Sequence, residues 1–316
     1  MTAYLVRRLL LFIPVVFGAA LFVFFVMQVL PGDVAQLILG EEGRAGSVAM
    51  EKLRVHLGLN RPLYEQFLSW LWGVLRLDLG NSLWTGRPIM DELVVRIPVS
   101  LELVTLGVLL SVILGVPAGI VSAIKRETPF DYAVRAVAYC GQAIPNFWLG
   151  IMVIILLVTV FRWLPPISFS SIIENPIENL LMMVAPAFVL GFRQTAVTAR
   201  MTRSCMLEVL NEDFVRTARA KGLLERAVLL RHAFANALLP IITIVFMEFA
   251  YLFGALIVLE HVFNLPGMGS FVVEAIYRRD VPTVQAIILF LALVVAITNL
   301  AQDLLYGLLD PRIRYS

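Results

Sequence analysis

The sequence predicts an all-α polytopic membrane protein, and two observations lead to this fold class. The first is composition: of the 316 residues, 60% are hydrophobic and only 15% are charged, against about 45–50% and about 25% in an average soluble domain. The second is that the apolar residues gather into long windows with almost no charge. A water-soluble chain of this length could not bury so much apolar side chain, which argues against a soluble enzyme or a disordered chain.

Six apolar windows are long enough to cross a bilayer. A helix rises 1.5 Å per residue, so a hydrocarbon core of about 30 Å requires about 20 apolar residues. The sequence therefore predicts six transmembrane helices, over residues 9–30, 101–124, 134–160, 180–199, 237–259 and 281–305.

The first window follows Arg7 and Arg8, as the apolar part of a signal peptide would. Its apolar run exceeds the roughly 7–15 residues of a signal peptide, and no A-x-A cleavage motif follows it. We therefore interpret this window as a retained membrane anchor.

The distribution of Lys and Arg predicts that both termini lie in the cytosol. With the N-terminus inside, the short outer loops carry only Arg162, Arg278 and Arg279, while the inner segments collect most of the remaining basic residues. Short loops rich in Lys and Arg stay on the cytosolic side of a membrane. The two cysteines, Cys140 and Cys205, lie in an apolar and a basic segment, so we expect no disulfide.

These windows divide the chain into three parts. Residues 1–30 form the N-terminal tail and the first transmembrane helix, and residues 31–100 form a long outer segment. Residues 101–316 form the transmembrane core, which includes a long inner loop over residues 200–236.

The inner loop contains a predicted short helix from Glu212 to Lys221. Asn211 is a suitable N-cap, Glu212 places negative charge on the first turn, and Arg216 and Lys221 place positive charge towards the end. Gly222 follows, at a position where helices commonly terminate.

One stripe of this helix is predicted to consist of Phe214, Ala218 and Gly222. Such a short helix is marginally stable alone, so its order must come from packing. Two surfaces could receive it: a groove on another protein or the lipid headgroups. Composition leaves both open.

The loop contains a recognisable motif. The run Thr217-Ala218-Arg219-Ala220-Lys221-Gly222-Leu223, followed by Arg231-His232-Ala233, resembles the cytosolic EAA loop of ABC-transporter permeases. The resemblance is closest to the dipeptide/oligopeptide/nickel import subfamily. In that subfamily Arg-Thr-Ala, here Arg216-Thr217-Ala218, typically replaces the generic Glu-Ala-Ala.

The resemblance extends over the whole chain, because further short motifs follow the order found in that family. These are Leu30-Pro31-Gly32-Asp33, Leu57-Gly58-Leu59, Asp78-Leu79-Gly80-Asn81-Ser82, Ile144-Pro145-Asn146-Phe147-Trp148, Glu260, Pro266-Gly267-Met268-Gly269, Arg279-Asp280-Val281-Pro282 and Asp310-Pro311-Arg312.

The resemblance implies a type I ABC-importer permease fold in a bacterial cytoplasmic (inner) membrane. It implies a second homologous permease subunit, two ATP-binding ATPase subunits and a substrate-binding protein outside, besides membrane lipid. The coupling loop would dock into an ATPase subunit, through Glu212, Arg216, Thr217, Ala218, Lys221 and Gly222.

Three further regions have a functional interpretation and a structural alternative. The outer segment could cap the pore mouth, or could pack on the membrane surface through Trp70, Trp72 and Trp84. The turn with Pro266, Gly267 and Gly269 could help to close an outer gate, or could be an ordinary turn. Asn146, in the motif of the third span, is assigned to the translocation pathway.

Glu248 is the one carboxylate near the middle of a predicted span. A charge at this depth is costly and commonly functional, so Glu248 could face the pore. The alternative is that it forms hydrogen bonds within the helix bundle and fixes packing.

The family resemblance implies a substrate of di- or oligopeptides, with nickel chelates or glutathione as alternatives. A secondary transporter driven by an ion gradient is the alternative from another class, although it would usually show more intramembrane ionisable residues or inverted repeats. No catalytic set, metal motif or G-x-x-x-x-G-K-[ST] loop occurs in the sequence. We therefore expect a non-catalytic subunit without cofactor or metal and without a nucleic-acid partner.

Overall fold

The computed structural model describes residues 2–29, 55, 60–166 and 169–309. Within these ranges every regular element is a helix. The helices are α1 (Thr2–Val29), α2 (Leu63–Leu75), α3 (Ile89–Ile124), α4 (Pro129–Ala143), α5 (Asn146–Thr159), α6 (Pro176–Leu210), α7 (Asp213–Ala220), α8 (Glu225–Val262), α9 (Met268–Tyr277) and α10 (Val281–Leu309). The motifs at residues 30–33, 57–59 and 310–312 lie outside the described residues.

Five of the described helices, α1, α3, α6, α8 and α10, are long and apolar enough to cross a membrane. The pair α4 and α5 passes the same test together, so the described residues hold five candidate spans, or six if this bent pair is counted as one span. The predicted all-α polytopic fold is therefore confirmed.

The third predicted span is not the continuous helix expected over residues 134–160. It is broken at Ile144 and Pro145, and α4 and α5 meet at 103°. The cause is local, because a residue before proline is forced out of the α region. Ile144 accordingly has an extended backbone, with ψ of 124°.

Several spans are longer than their apolar windows predict. Helix α3 begins at Ile89 rather than near residue 101, and α6 continues to Leu210 rather than ending near residue 199. Polar residues occupy these extensions, so hydropathy did not identify them as helix. Part of the segment assigned to the outer loop is thus the first turns of α3.

Helices α3 and α6 form the tightest pair in the bundle because glycines line their contact. A Cβ at Gly115 would lie 2.9 Å from the carbonyl oxygen of Thr195. At Gly119 the distance to the carbonyl oxygen of Ala199 would be 2.5 Å. Only glycine allows two backbones to approach this closely, as in other small-residue helix contacts in membranes.

The core lies where α3, α6 and α8 meet, with Leu103, Leu190 and Leu256 fully buried. A second cluster joins α9 and α10 to the start of α3. Helix α1 packs on α10, where Arg8 and Asp303 form an ion pair of 2.8 Å. Helix α2 packs on α1 through Phe67, whose ring meets that of Phe24 edge-on at 5.4 Å.

Helix α8 spans 38 residues and includes a π-helical stretch over Val228–Phe234. Both cysteines are free thiols, as expected.

Candidate functional site

The predicted helix of the inner loop is α7, but Asn211 is not its N-cap. Helix α6 continues to Leu210, and Asn211 ends it in a helical conformation, with its side-chain amide donating to the carbonyl of Leu207 at 2.9 Å. An N-cap requires an extended backbone, and Glu212 supplies it with ψ of 148°. The side chain of Glu212 makes no capping hydrogen bond.

The C-terminal end of α7 agrees with the prediction. Lys221 is the C-cap, and Gly222 follows in the left-handed region with φ of 74°. The amide of Gly222 donates to the carbonyl of Arg219 at 2.9 Å, which closes the last turn. A Cβ at Gly222 would meet nothing within 4 Å, so the glycine serves the backbone conformation and not close packing.

The buried face of α7 differs from the predicted stripe. Val215 and Ala218 are the buried residues of this helix, and they pack on Val228 of α8. Phe214 is 42% exposed, whereas Ala218 is only 6% exposed. The predicted stripe is therefore not the buried face: Val215, three residues before Ala218, shares that face with it, while Phe214 is exposed and its docking on a partner remains a prediction.

Polar contacts attach α7 to its neighbours in the chain. Arg219 forms an ion pair of 2.8 Å with Glu225 at the start of α8, and this hydrogen bond raises the pKa of the Arg219 guanidinium. Arg216 pairs with Asp213 at 3.1 Å and donates to the carbonyl of Asn211. Thr217 and Lys221 are exposed.

A buried ion pair at the same end of the bundle was not predicted from the sequence. Asp131, at the start of α4, is fully buried and receives Nε and Nη2 of Arg203 at 2.7 and 2.8 Å. Ser122 Oγ donates to the same carboxylate at 2.5 Å, and the amide of Glu127 donates at 3.1 Å. In the sequence Arg203 indicated only a basic inner loop, and nothing in the sequence pairs it with Asp131.

Glu248 lies in the middle of the bundle and is buried. Its carboxylate accepts hydrogen bonds from Thr198 at 3.0 Å and from Ser111 at 3.3 Å. These hydroxyls belong to α6 and α3, so Glu248 joins the three central helices. These hydrogen bonds agree with the packing alternative, and the assignment of Glu248 to the translocation pathway remains a prediction.

Asn146 is the first residue of α5 and is half-buried. Its Oδ1 is buried without a hydrogen-bond partner among the described residues. It lies at the bend between α4 and α5, and its assignment to the translocation pathway remains a prediction.

At the other end of α8, Glu260 anchors the predicted turn. Its buried carboxylate accepts from Ser100 Oγ at 2.6 Å and from the amides of Gly269 and Ser270 at 2.7 and 3.0 Å. Ser100 Oγ in turn accepts from the amide of Met268 at 2.7 Å. Glu260 therefore caps the N-terminus of α9 and joins it to α3.

The glycines of this turn serve close packing rather than positive φ. Gly267 has φ of −99°, and the left-handed residue is Asn264, with φ of 52°. A Cβ at Gly267 would overlap the Glu260 carboxylate, and one at Gly269 would lie 2.5 Å from Cα of Ile257. Pro266, directly before Gly267, is half-buried.

Asp280 joins two motifs that are far apart in the sequence. Its carboxylate accepts from Ser82 Oγ at 2.5 Å and from the amide of Leu83 at 3.1 Å. It also accepts from Thr283 Oγ1 at 2.8 Å, at the start of α10. This buried carboxylate holds the loop before α3 against α10.

Comparison with known proteins gives a consistent result over the full length. Residues 115–315 match the family described as binding-protein-dependent transport system inner membrane component, and residues 1–104 match the N-terminal family of the same components. A putative peptide transport system permease protein of Brucella abortus is 39% identical over 315 residues, covering all of both chains.

Two further relatives carry the name dipeptide transport system permease protein. The protein from Escherichia coli is 37% identical over 339 residues, covering 100% of this chain and 99% of the relative. The protein from Alkalihalophilus pseudofirmus is 38% identical over 335 residues, covering all of both chains.

Proposed function

Because the chain belongs to the family of binding-protein-dependent transport system inner membrane components, we propose that it lines the route by which short peptides enter a bacterial cell. The relatives named for peptide and dipeptide transport match it from end to end, which supports peptides over nickel chelates or glutathione. The chain is a multi-pass permease of the inner membrane, and the family is a transport component rather than an enzyme. ATP hydrolysis then belongs to two partner subunits, and a second permease completes the pathway.

The observation that carries the proposal is the exposed face of α7. Val215 and Ala218 hold the helix to its own chain, while Phe214, Arg216 and Thr217 remain exposed. A helix of eight residues contributes little to a bundle of this size. Its outward face has the mixed apolar and charged character of a helix that enters a groove on another protein.

A displacement of α7 would be transmitted to the transmembrane bundle, because α7 is attached to α6 and α8, the helices on either side of it in the chain. It follows α6 after two residues, and it contacts α8 through Val228 and the Arg219–Glu225 pair. The Asp131–Arg203 pair extends this connection from α6 to α4. ATP-driven movement of the ATPase subunits would thus shift the population between two arrangements of the bundle.

Helix α8 connects the coupling end to the opposite end. At 38 residues and 1.5 Å per residue it is roughly 57 Å long. It begins beside α7 and ends at Glu260, which holds the turn at residues 264–269. We therefore place the inner coupling element and the outer gate at the two ends of one helix, with both chain termini in the cytosol.

Replacement of Gly222 by Asp tests the coupling role. The complex should assemble in the membrane and hydrolyse ATP, but peptide uptake should fall at least about tenfold because the docking surface is altered. Gly86→Asp is the matched control, since Gly86 also has positive φ and open surroundings but lies in the loop before α3. Unaltered uptake in the Gly222 variant would contradict the docking role.

A further inference from the structure

A cavity of about 640 Å³ with several charged and polar residues in its lining opens at the end of the bundle opposite α7. It lies between the last turn of α8, the exposed side of α9 and the start of α3. Its lining residues include Arg96, Phe169, His261, Glu274, Tyr277 and Arg278. Pockets for small ligands typically have volumes of about 300–1,000 Å³, so this cavity has the size of a ligand site.

Some charges around the cavity are already neutralised by contacts within the protein. Glu260 is fully buried and accepts from Ser100, Gly269 and Ser270. Arg96 pairs with Glu92 at 3.2 Å and lies over the ring of Phe271. These groups form the wall of the cavity, and they are not available to a ligand.

Glu274 and Arg278 are the two charged residues of the lining that remain, one of each sign. Both are exposed on α9 or its C-cap, and within the described part of the chain neither forms an ion pair. Their positions, i and i+4, would normally favour a mutual pair. The Arg278 guanidinium instead lies 4.1 Å from the ring centre of Trp84, which holds it apart from Glu274.

We propose that this cavity is an entry subsite for a short zwitterionic peptide. Glu274 receives the peptide's ammonium group and Arg278 receives its carboxylate, while His261 adds a polar contact at the rim. The inference rests on the proposed function, and it assigns the side chains that recognise the two ends of the substrate.

The separation of the two residues along α9 is of the size of a dipeptide. Four residues on a helix advance about 6 Å along its axis, and two extended residues span about 7 Å. Tyr277 and Phe169 supply aromatic wall for the peptide side chains. A concave site with a few placed polar groups is typical of small ligands, whereas protein partners contact broader surfaces.

The test uses the whole importer in liposomes with its binding protein and alanyl-alanine as substrate, and it measures peptides taken up per ATP hydrolysed. We expect Glu274→Gln and Arg278→Gln each to lower this ratio about tenfold, the effect of losing one charge-assisted hydrogen bond. Glu65→Gln and Arg87→Gln are the matched controls, because both residues are exposed and lie outside the cavity. The controls should leave the ratio unchanged.

A charge exchange adds a second measurement. The double variant Glu274→Arg with Arg278→Glu keeps one charge of each sign, so it should recover more of the ratio than Glu274→Arg alone. Equal loss in the double and single variants would overturn the subsite.

Two further results would also overturn it. If uptake and ATP hydrolysis fall in parallel, the ratio is unchanged, and the cavity is a contact for the binding protein instead. If neither falls, the cavity has no role in transport. A wild-type importer that carries no dipeptide would overturn the proposed function itself, and that result is obtained before any variant is made.

Discussion

Arg203 of α6 and Asp131 of α4 form a bidentate ion pair, with Nε and Nη2 at 2.7 and 2.8 Å from the two carboxylate oxygens. The residues are 72 positions apart in the chain. The pair also gathers Ser122 from the end of α3. It therefore joins three helices at the end of the bundle that carries α7.

Asp131→Asn is expected to destabilise the protein, because it leaves the Arg203 guanidinium in a mostly buried place without its counter-charge. Breaking one side of a buried pair costs about 3–5 kcal/mol. The check is the thermal unfolding midpoint of the purified permease in detergent. Asp213→Asn is the control, since the Asp213–Arg216 pair is exposed and exposed pairs contribute about 0–1 kcal/mol. Equal midpoints for the two variants would contradict the structural role of the pair.

Gly119→Ala is expected to push α3 and α6 apart. Its Cβ would lie 2.5 Å from the carbonyl oxygen of Ala199 and 2.7 Å from Cβ of Thr202, and overpacking of this kind costs about 1–3 kcal/mol. The unfolding midpoint should fall. Gly254→Ala should not lower it, because nothing lies within 4 Å of a Cβ there. A neutral result at Gly119 would mean that the two helices are less closely packed than described.

Cysteine labelling tests both the exposed face of α7 and its side of the membrane. In a permease expressed without ATPase subunits and with Cys140 and Cys205 replaced by Ala, Thr217→Cys should react rapidly with a membrane-impermeant maleimide in inside-out vesicles. Ala218→Cys should react much more slowly, because Ala218 is buried against Val228. Similar rates at the two positions would show that α7 does not pack as described. Labelling of Thr217→Cys in intact cells would reverse the proposed orientation.

Asp280→Ala is expected to release the loop that precedes α3, because Ser82 and Leu83 lose their shared acceptor. Limited chymotrypsin digestion should then cut faster after Trp84, which is exposed and lies in this loop. Asp91→Ala, an exposed change at the start of α3, should leave the cutting rate as it is in the wild type. Unchanged cutting in the Asp280 variant would assign the anchoring of the loop to other contacts.

Sequence patterns predicted the parts of this protein that depend on neighbouring residues. Hydropathy located all six apolar windows, and the end of α7 followed from the glycine at position 222. The break at Ile144 and Pro145 also has a local cause, but hydropathy did not reveal it. Mean hydropathy over residues 134–160 is dominated by the long apolar run, and one proline changes it little.

The remaining features depend on tertiary packing, which a single sequence does not contain. Glu260 and its partner Ser100 are 160 positions apart in the chain. Asp280 and its partner Ser82 are 198 positions apart. None of these four residues indicates its partner from the sequence of its own segment. The buried face of α7 was not identified for a related reason, because it forms where Val215 and Ala218 meet Val228 of α8.

The two faces of α7 separate the residues that hold the helix in place from those available to a partner. Val215 and Ala218 keep the helix in place, whereas Asp213, Arg216 and Thr217 face outward. If the outward face docks on an ATPase subunit as we propose, related importers in one cell can differ at these exposed positions and recognise different ATPase subunits without a change at Val215 or Ala218.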